Sequence, residues 1–479
     1  MLLILTLLFP MIAGPLVSVT AKNSEKARNT GYAAVVAATD LLCLLSVLYG
    51  KEITVFEMTT QAKMAFRLDD FGKLVLVVAA ILYTAVCFYA FEYMKTEERP
   101  EVFFGFYFVS MGALIAVCMS ANLVTLYFCF ELATLSTVPL VLHEMSKDAV
   151  TAGMKYLFYS MAGALMGLLA VFFVSFYAEG DTSFVMGGFL SSGQTAGHEK
   201  LLLAVIFVGI LGFGTKAGMY PLHGWLPTAH PIAPAPASAL LSGIIAKAGI
   251  VAVVRLVYYS VGVEFLRGSW VQYAWMILAM ITIFMGSMCA YREKVVKKRL
   301  AFSTVSQISY IMLGLSLLSS EGLRGGMLHL MAHAFSKGCL FLTAGIFICK
   351  LGIRFVPDLK GIGKRMPVTM WCFTIASLSL VGIPPLGGFV SKWVLAGAAI
   401  DSGLGVFSIL SPAILLISAL LTAGYLLPVV VDAFFPGEDF EGEESKAEPS
   451  ALMTLPLIVL CLGALLTGLF GNQIISGLF

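Results

Sequence analysis

Lys216, Lys247, Lys337 and Lys392 each stand within or beside an apolar run long enough to cross a bilayer, and Glu131 stands in the middle of another. A charge at mid-membrane costs about 2.5–3.5 kcal/mol on insertion scales, so each of these groups must face a protein interior or a hydrated path. An amine taken out of water holds its proton less tightly, which lets a buried lysine both accept and release one near neutral pH. Glu131 lies between Asn122-Leu-Val-Thr-Leu-Tyr-Phe-Cys-Phe130 and Leu132-Ala-Thr-Leu-Ser-Thr-Val-Pro139, with few polar neighbours. Alone it would be protonated; beside a lysine it can ionise and hold that lysine charged, and Lys216 is the expected partner. The competing reading is a static ion pair that only locks helices. For Lys247, in Leu240-Leu-Ser-Gly-Ile-Ile-Ala-Lys-Ala-Gly-Ile250, the competing reading is a lysine snorkelling to an interface.

His329, His333 and Lys337 are spaced i, i+4, i+8 in Leu328-His-Leu-Met-Ala-His-Ala-Phe-Ser-Lys-Gly338. On a helix they form one polar stripe with neighbours about 6 Å apart, close enough for a bridging water between each pair. A metal reading of H-x-x-x-H finds neither the glutamate of H-E-x-x-H nor an acidic third ligand nearby, so a proton relay is favoured and no metal is assigned. A merely hydrogen-bonded helix seam stays open. Lys392 follows Gly387-Gly-Phe-Val-Ser, and Asp40 lies inside a run with no partner to assign.

The elements that must position these groups are unusual. From Gly212 to Lys247 the chain holds two lysines, two histidines (His223 and His230), a tryptophan and prolines 221, 227, 231, 234 and 236. Each proline lacks an N–H and obstructs the preceding turn, so a span interrupted near Pro221 is expected. Backbone freed at membrane depth is tolerated only where it lines a cavity or is buried in protein. Gly218-Met-Tyr-Pro-Leu-His-Gly-Trp225 is echoed by Gly382-Ile-Pro-Pro-Leu-Gly-Gly-Phe389, which puts a second break at Pro384 and Pro385. Five runs separate the two segments, so a repeat carrying them would be inverted in the membrane. Gly209-x-x-Gly212-x-Gly214-x-Lys216 has the wrong spacing for a phosphate loop.

With 479 residues, 59% hydrophobic and 12% charged, the chain is a polytopic membrane protein, and about fourteen runs of roughly 20 apolar residues nearly exhaust its length. A soluble domain is not expected. The leading MLLILTLLFPMIAGPLVSVTAK lacks the positive n-region of a signal peptide and reads as the first span. The nine cysteines lie in or beside apolar runs with no C-x-x-C pair, which argues against a redox centre and for small apolar filler. Of 30 Lys+Arg, 18 fall in loops after odd-numbered runs and 7 after even-numbered ones; Lys73, Lys216, Lys247, Lys337 and Lys392 lie within or at the edge of runs. The bias is carried by Arg292-Glu-Lys-Val-Val-Lys-Lys-Arg299 and by Lys350 to Arg365. It predicts cytoplasmic basic loops and both termini on the outer side of the inner (cytoplasmic) membrane. The acidic run Glu438 to Glu448 reads as a solvated loop.

Lys216-Ala-Gly-Met-Tyr-Pro-Leu-His-Gly-Trp-Leu-Pro-Thr-Ala-His230, Gly243-Ile-Ile-Ala-Lys247, His329-Leu-Met-Ala-His333-Ala-Phe-Ser-Lys337 and Gly387-Gly-Phe-Val-Ser-Lys392 closely resemble the antiporter-like proton-channel subunits of respiratory complex I, membrane-bound hydrogenases and Mrp-type cation/proton antiporters. The resemblance covers nearly the whole chain. It implies an all-α integral membrane fold of fourteen helices with two inverted five-helix repeats, each containing a broken helix. On that basis residues 1–120 are N-terminal helices, 102–260 and 270–434 the two repeats, and 435–479 the acidic loop and last helix. The resemblance further implies that Glu131 pairs with Lys216, that Lys247 is the connecting lysine, that His333 and Lys337 form the central relay, and that Lys392 belongs to the second broken helix. The chain ends soon after its fourteenth run, without the long lateral helix of the most distal complex I subunit, so its branch of the family stays open.

The expected function is a proton-translocating subunit of a redox-driven ion-pumping complex, with His223 and His230 as possible access or hydration groups. No NAD, flavin or cluster motif occurs, so flavin and iron–sulfur clusters are expected only in partner subunits. Expected partners are a related antiporter-like subunit, other membrane subunits, peripheral redox subunits, lipid, and protons with sodium as an option; nucleic acid is not expected. The alternatives are a subunit of an Mrp-type sodium/proton antiporter, an organic-solute carrier and an intramembrane metalloenzyme.

Overall fold

The computed structural model describes residues 1–57, 59, 62–437 and 445–476. The chain is mostly helical, and eleven helices among the described residues are long and apolar enough to cross a membrane. Glu199–Lys216 and Val296–Ser316 are also long helices, with charges gathered near their ends, and Pro367–Val381 and Gly387–Ile400 are shorter apolar helices separated by a break. One departure from an all-helical chain is a β-hairpin, Ile53–Glu57 paired antiparallel with Lys63–Phe66 between the second and third spans. Its Ile-Thr-Val-Phe run is β-branched and aromatic, which suits a strand better than a helix. Most of the acidic run, residues 438–444, lies outside the described residues. Glu448, at its end, is not simply solvated: its carboxylate accepts from Val368 N at 3.1 Å, Thr369 N at 2.9 Å and Thr369 Oγ1 at 2.5 Å. It thereby caps Pro367–Val381 where unpaired N–H groups and the helix dipole favour an anion.

The helices form two compact units that interleave in sequence: Met1–Ile81, Arg99–Trp225 and Ile245–Leu278 in the first, Leu82–Glu98, Leu226–Ile244 and Ala279–Phe479 in the second. In the first unit, helices Lys147–Tyr177 and Glu199–Lys216 meet through glycine. A Cβ on Gly163 would lie 2.6 Å from Gly212 O, and one on Gly212 would lie 2.5 Å from Gly163 O. Small residues let membrane helices approach backbone to backbone, and here the approach fixes the helix that ends in Lys216. Lys247–Leu256 packs on the same helix at Gly249, whose Cβ would meet Phe213 O at 2.5 Å.

In the second unit, Ser320–Leu351 is the central helix, contacted by Val296–Ser316, Pro367–Val381, Gly387–Ile400 and Ala451–Ser476. Ser319 caps its start by accepting from Gly322 N at 3.1 Å. Gly325 faces Leu395, Gly338 faces Leu82 and Leu460, and Gly345 faces Ala235 and Tyr89. The helix is therefore surrounded by protein along most of its length, which keeps His329, His333 and Lys337 out of lipid.

Candidate functional site

Both interruptions fall where the prolines put them. Glu199–Lys216 stops at Lys216 and a turn runs to Trp225, with Met219 N on Gly214 O and Gly218 N on Thr215 O, both at 3.0 Å. The indole N–H of Trp225 donates to Thr215 O at 2.8 Å. Helix ends leave carbonyls without intrahelical partners, and here the turn and the tryptophan supply donors. Pro367–Val381 stops at Gly382, whose φ of 98° admits no side chain without strain, and the chain restarts at Gly387 after Pro384 and Pro385. A cis peptide bond precedes Pro221 and Pro385. Pro221, Pro384 and Pro385 themselves are exposed.

Lys216 is fully buried in the last turn of its helix, where the negative end of the dipole favours a cation. Its Nζ donates to Thr134 Oγ1 at 2.5 Å and lies 5.2 Å from the ring centre of Phe130 and 5.6 Å from that of Tyr156. Glu131 sits one turn before Thr134 on Leu123–Val141. Glu131 Oε1 is buried and has no hydrogen-bond partner among the described residues, and no ion pair within 4.0 Å joins it to Lys216. The Thr134 hydroxyl, not the Glu131 carboxyl, is the group hydrogen-bonded to the Lys216 amine. Lys247 is fully buried just after a π-helical turn, Leu241–Ile245, so it does not snorkel to an interface. Single π turns of this kind often mark functional sites.

The second unit gathers His329, His333 and Lys337 on one side of Ser320–Leu351, all buried, with the imidazole centres of the two histidines 6.1 Å apart. His329 Nδ1 is 2.9 Å from Ser391 Oγ, and its ring stacks on Tyr310 at 5.1 Å. Lys337 Nζ donates to Leu300 O at 2.9 Å and to Ser303 Oγ. Lys392 Nζ donates to Leu380 O at 2.5 Å and Val381 O at 3.0 Å, which are terminal carbonyls of the helix that breaks before it, and lies 5.1 Å from the Tyr310 ring centre. Tyr310 is therefore shared by His329 and Lys392.

The other two candidate histidines, His223 and His230, fall in different units. His223 is half-buried and stacks on Tyr220 at 5.8 Å; His230 is buried and stacks on Phe341 at 4.7 Å. Asp40 is partly buried on Glu25–Tyr49. Among the described residues no cluster of His, Cys, Asp and Glu could hold a metal. Cys339 and Cys461 bring their Sγ atoms to 3.6 Å as free thiols, both near Cys372 O.

Two basic residues correct the loop reading. Arg255, counted with the loops, lies inside Ala235–Val261 and is only 1% exposed. Its guanidinium makes a two-pronged pair with Asp69 at 2.5 and 2.6 Å and is lined by Phe71, Phe184 and Tyr259, 4.5–5.0 Å from their ring centres. Burial works against the Asp69 charge, but Arg255 holds that carboxyl below the usual carboxylate range. An arginine inside an apolar run was itself the signal for such a site. Lys297, expected to face solvent, is buried and donates to Pro231 O at 3.2 Å and Ala233 O at 2.5 Å. Thr134, Ser303, Ser391 and Tyr310 were also missed; nothing in their spacing separates them from the many other hydroxyl residues of the chain.

Residues 120–418 match the family described as NADH:quinone oxidoreductase/Mrp antiporter, TM. The chain belongs to this family. It is an antiporter-like membrane subunit, related to proteins of several ion-translocating systems. It is 31% identical over 430 residues to NADH-quinone oxidoreductase subunit N of Desulforudis audaxviator, covering 85% of this chain and 82% of that one. It is 34% identical over 349 residues to hydrogenase-4 component B of Escherichia coli, covering 69% of this chain and 50% of that one. Its fold matches a chain of the Mrp complex from Dietzia sp. with a TM-score of 0.84 at 22% identity, over 100% of this chain and 96% of that one.

Proposed function

We propose that the chain is the proton-translocating membrane subunit of a redox-driven complex of the NADH–quinone oxidoreductase or membrane-bound hydrogenase type. What supports this reading is that Lys216, Lys337 and Lys392 each hang on neutral oxygens, with Lys216 at the end of one interrupted helix and Lys392 on the last carbonyls of the other. An amine held this way can give up its proton without leaving an ion pair half broken, and the hydroxyls beside it can pass that proton on. In this reading Glu131 tunes Lys216, Lys247 is the connecting lysine, His329 and His333 relay between waters, and His223 and His230 serve access. Glu199–Lys216, Val296–Ser316 and the broken pair Pro367–Val381/Gly387–Ile400 bring the eleven spans to fourteen. Five-helix repeats at 102–260 and 270–434 are inverted, and both termini lie outside the cytoplasmic membrane. Energy comes from partners: a related antiporter-like subunit beside it and peripheral subunits carrying flavin or iron–sulfur clusters.

The deciding experiment purifies the chain with its native partners and reconstitutes the complex in sealed vesicles. Reductant-driven acidification that needs no sodium supports the reading. Transport that requires sodium assigns the chain to a sodium/proton antiporter instead, and absence of proton movement by an assembled, turning-over complex refutes it.

A further inference from the structure

In the first unit, the spans Leu2–Thr20 and Pro100–Met119 pack closely along part of their length and then part. A Cβ on Gly112 would lie 2.4 Å from Leu7 O, and one on Gly14 would meet the Phe108 side chain, so the two helices touch there. One turn further on, a Cβ on Gly105 would find only Ser18 Oγ, at 3.6 Å. The gap that opens is a groove of about 560 Å³, walled by Val19, Val102, Phe106 and Val109. Its size falls in the range of ligand pockets, about 300–1,000 Å³. Ser18 turns its hydroxyl to Gly14 O at 3.1 Å and Tyr32 OH at 2.7 Å, which leaves the walls apolar. Charge enters at one end of the groove. Lys22, just past the first helix, and Glu101, in the first turn of the other, bring Nζ and Oε1 to 3.6 Å. That separation is too long for a hydrogen bond, and the lysine side chain is 64% exposed, so the pair is weakly tied. The dipole of Pro100–Met119 favours a negative charge at Glu101.

We propose that this groove binds one phospholipid whose headgroup carries a primary ammonium beside its phosphate, of the phosphatidylethanolamine kind. Lys22 and Glu101 stand where membrane spans end, which is the depth of phospholipid headgroups, and the apolar walls run from there into the span as an acyl chain does. The phosphate sits against Lys22 Nζ and the ammonium against the Glu101 carboxylate, so two charge-assisted hydrogen bonds replace one loose contact. Charge complementarity selects this occupant. A purely anionic headgroup satisfies Lys22 but sets its charge against Glu101. A trimethylated ammonium has no N–H to give the carboxylate. An apolar helix of another subunit would cover the walls and take both charges out of water with no new partner for either.

The test uses the full chain in its native complex, in mixed micelles with phosphatidylethanolamine that carries a photoreactive acyl chain, and maps the labelled peptides by mass spectrometry. Labelling should fall on residues 15–19 and 102–109. Unlabelled phosphatidylethanolamine should compete about tenfold better than phosphatidylcholine or phosphatidylglycerol, the loss of one charge-assisted hydrogen bond read as affinity. Glu101→Gln should remove the preference over phosphatidylcholine, and Lys22→Gln should weaken competition by all three lipids. Gly105→Leu, whose Cβ has room, should fill the groove and remove the labelling. Equal competition by the three lipids, or an unchanged preference in Glu101→Gln, would overturn the headgroup assignment. Absence of labelling at the groove in the native complex would overturn the site and give the trough to a neighbouring subunit.

Discussion

The Lys216 site yields the sharpest test of proton chemistry against helix glue. Its ammonium is fully buried, donates to Thr134 Oγ1 at 2.5 Å and has Glu131 one turn beyond that threonine. A hydrogen bond from a charged donor contributes about 1.5–3 kcal/mol. Thr134→Val keeps the shape and removes the acceptor, so the protonated amine loses about that much relative to the neutral one. Its proton occupancy then falls about tenfold to a hundredfold at fixed pH. Glu131→Gln removes the negative charge and acts in the same direction, whereas Glu131→Asp and Thr134→Ser keep the chemistry and should retain part of the activity. Lys216→Arg divides the two readings, because guanidinium preserves a bridge but cannot release its proton in the accessible pH range. The assay is proton translocation per electron, or per cation, in vesicles, normalised to assembled complex. Impaired pumping in Thr134→Val, Glu131→Gln and Lys216→Arg with normal assembly supports a path through Lys216. Full pumping by assembled Lys216→Arg would take Lys216 out of the path and leave a static contact.

Three further expectations concern the frame around that chemistry. Asp69→Asn strands the Arg255 charge in a buried pocket and should cost about 3–5 kcal/mol, while Asp69→Leu with Arg255→Met should recover most of it; equal thermal stability of the single variant and the wild type in detergent would refute this. Gly468→Ala should abolish assembly, because its Cβ would lie 1.9 Å from Pro385 O at the second break, whereas Gly397→Ala, with nothing within 4 Å, should assemble normally on a blot of native gels. Lys294 is exposed in the basic loop where Lys297 is not, so Lys294→Cys in a background lacking reactive native thiols should react with impermeant maleimide only from the cytoplasmic side. Labelling of intact cells at that position would reverse the orientation.

The breaks and the buried amines were legible in sequence for the same reason: proline, histidine and lysine are costly inside apolar runs, so their presence there is informative. What held those amines was not. Serine and threonine recur throughout the membrane helices, and which of them meets Lys216 or Lys337 depends on the rotation of a second helix, as with Thr134, 82 residues from its partner. Arg255 obeys the same rule but stands near the end of its apolar run, where a count of basic residues takes it for part of the following loop. The cap by Glu448 joins positions 79 residues apart across an acidic segment that pattern alone marks as solvent. The two interleaved units were equally hidden, since the changes of unit at Leu82, Leu226 and Ile245 fall inside or beside helices that look continuous in composition.

The difference between the two lysine environments bears on how the chain could be driven. Lys337 and Lys392 are hydrogen-bonded to carbonyl and hydroxyl oxygens, and among the described residues no carboxylate is paired with either. When such an amine loses its proton it becomes a neutral group among neutral groups, and its occupancy follows the supply of water and hydroxyl relays. Lys216 differs in having the Glu131 carboxyl one turn from its hydroxyl partner Thr134, although no ion pair within 4.0 Å joins the two among the described residues. When ionised, a carboxyl at that position favours the protonated amine through its field, and that bias is lost when the carboxyl is neutralised. Lys216 is therefore the group whose proton occupancy responds most strongly to a charge arriving nearby, and Glu131 is the residue that makes it so. It follows that Glu131→Gln should weaken the link between the driving reaction and proton movement more than Thr134→Val does, since the threonine only holds the ammonium whereas the glutamate reports its absence. A Thr134→Val complex more severely uncoupled than the Glu131→Gln one, measured at equal assembly, would contradict this division of roles.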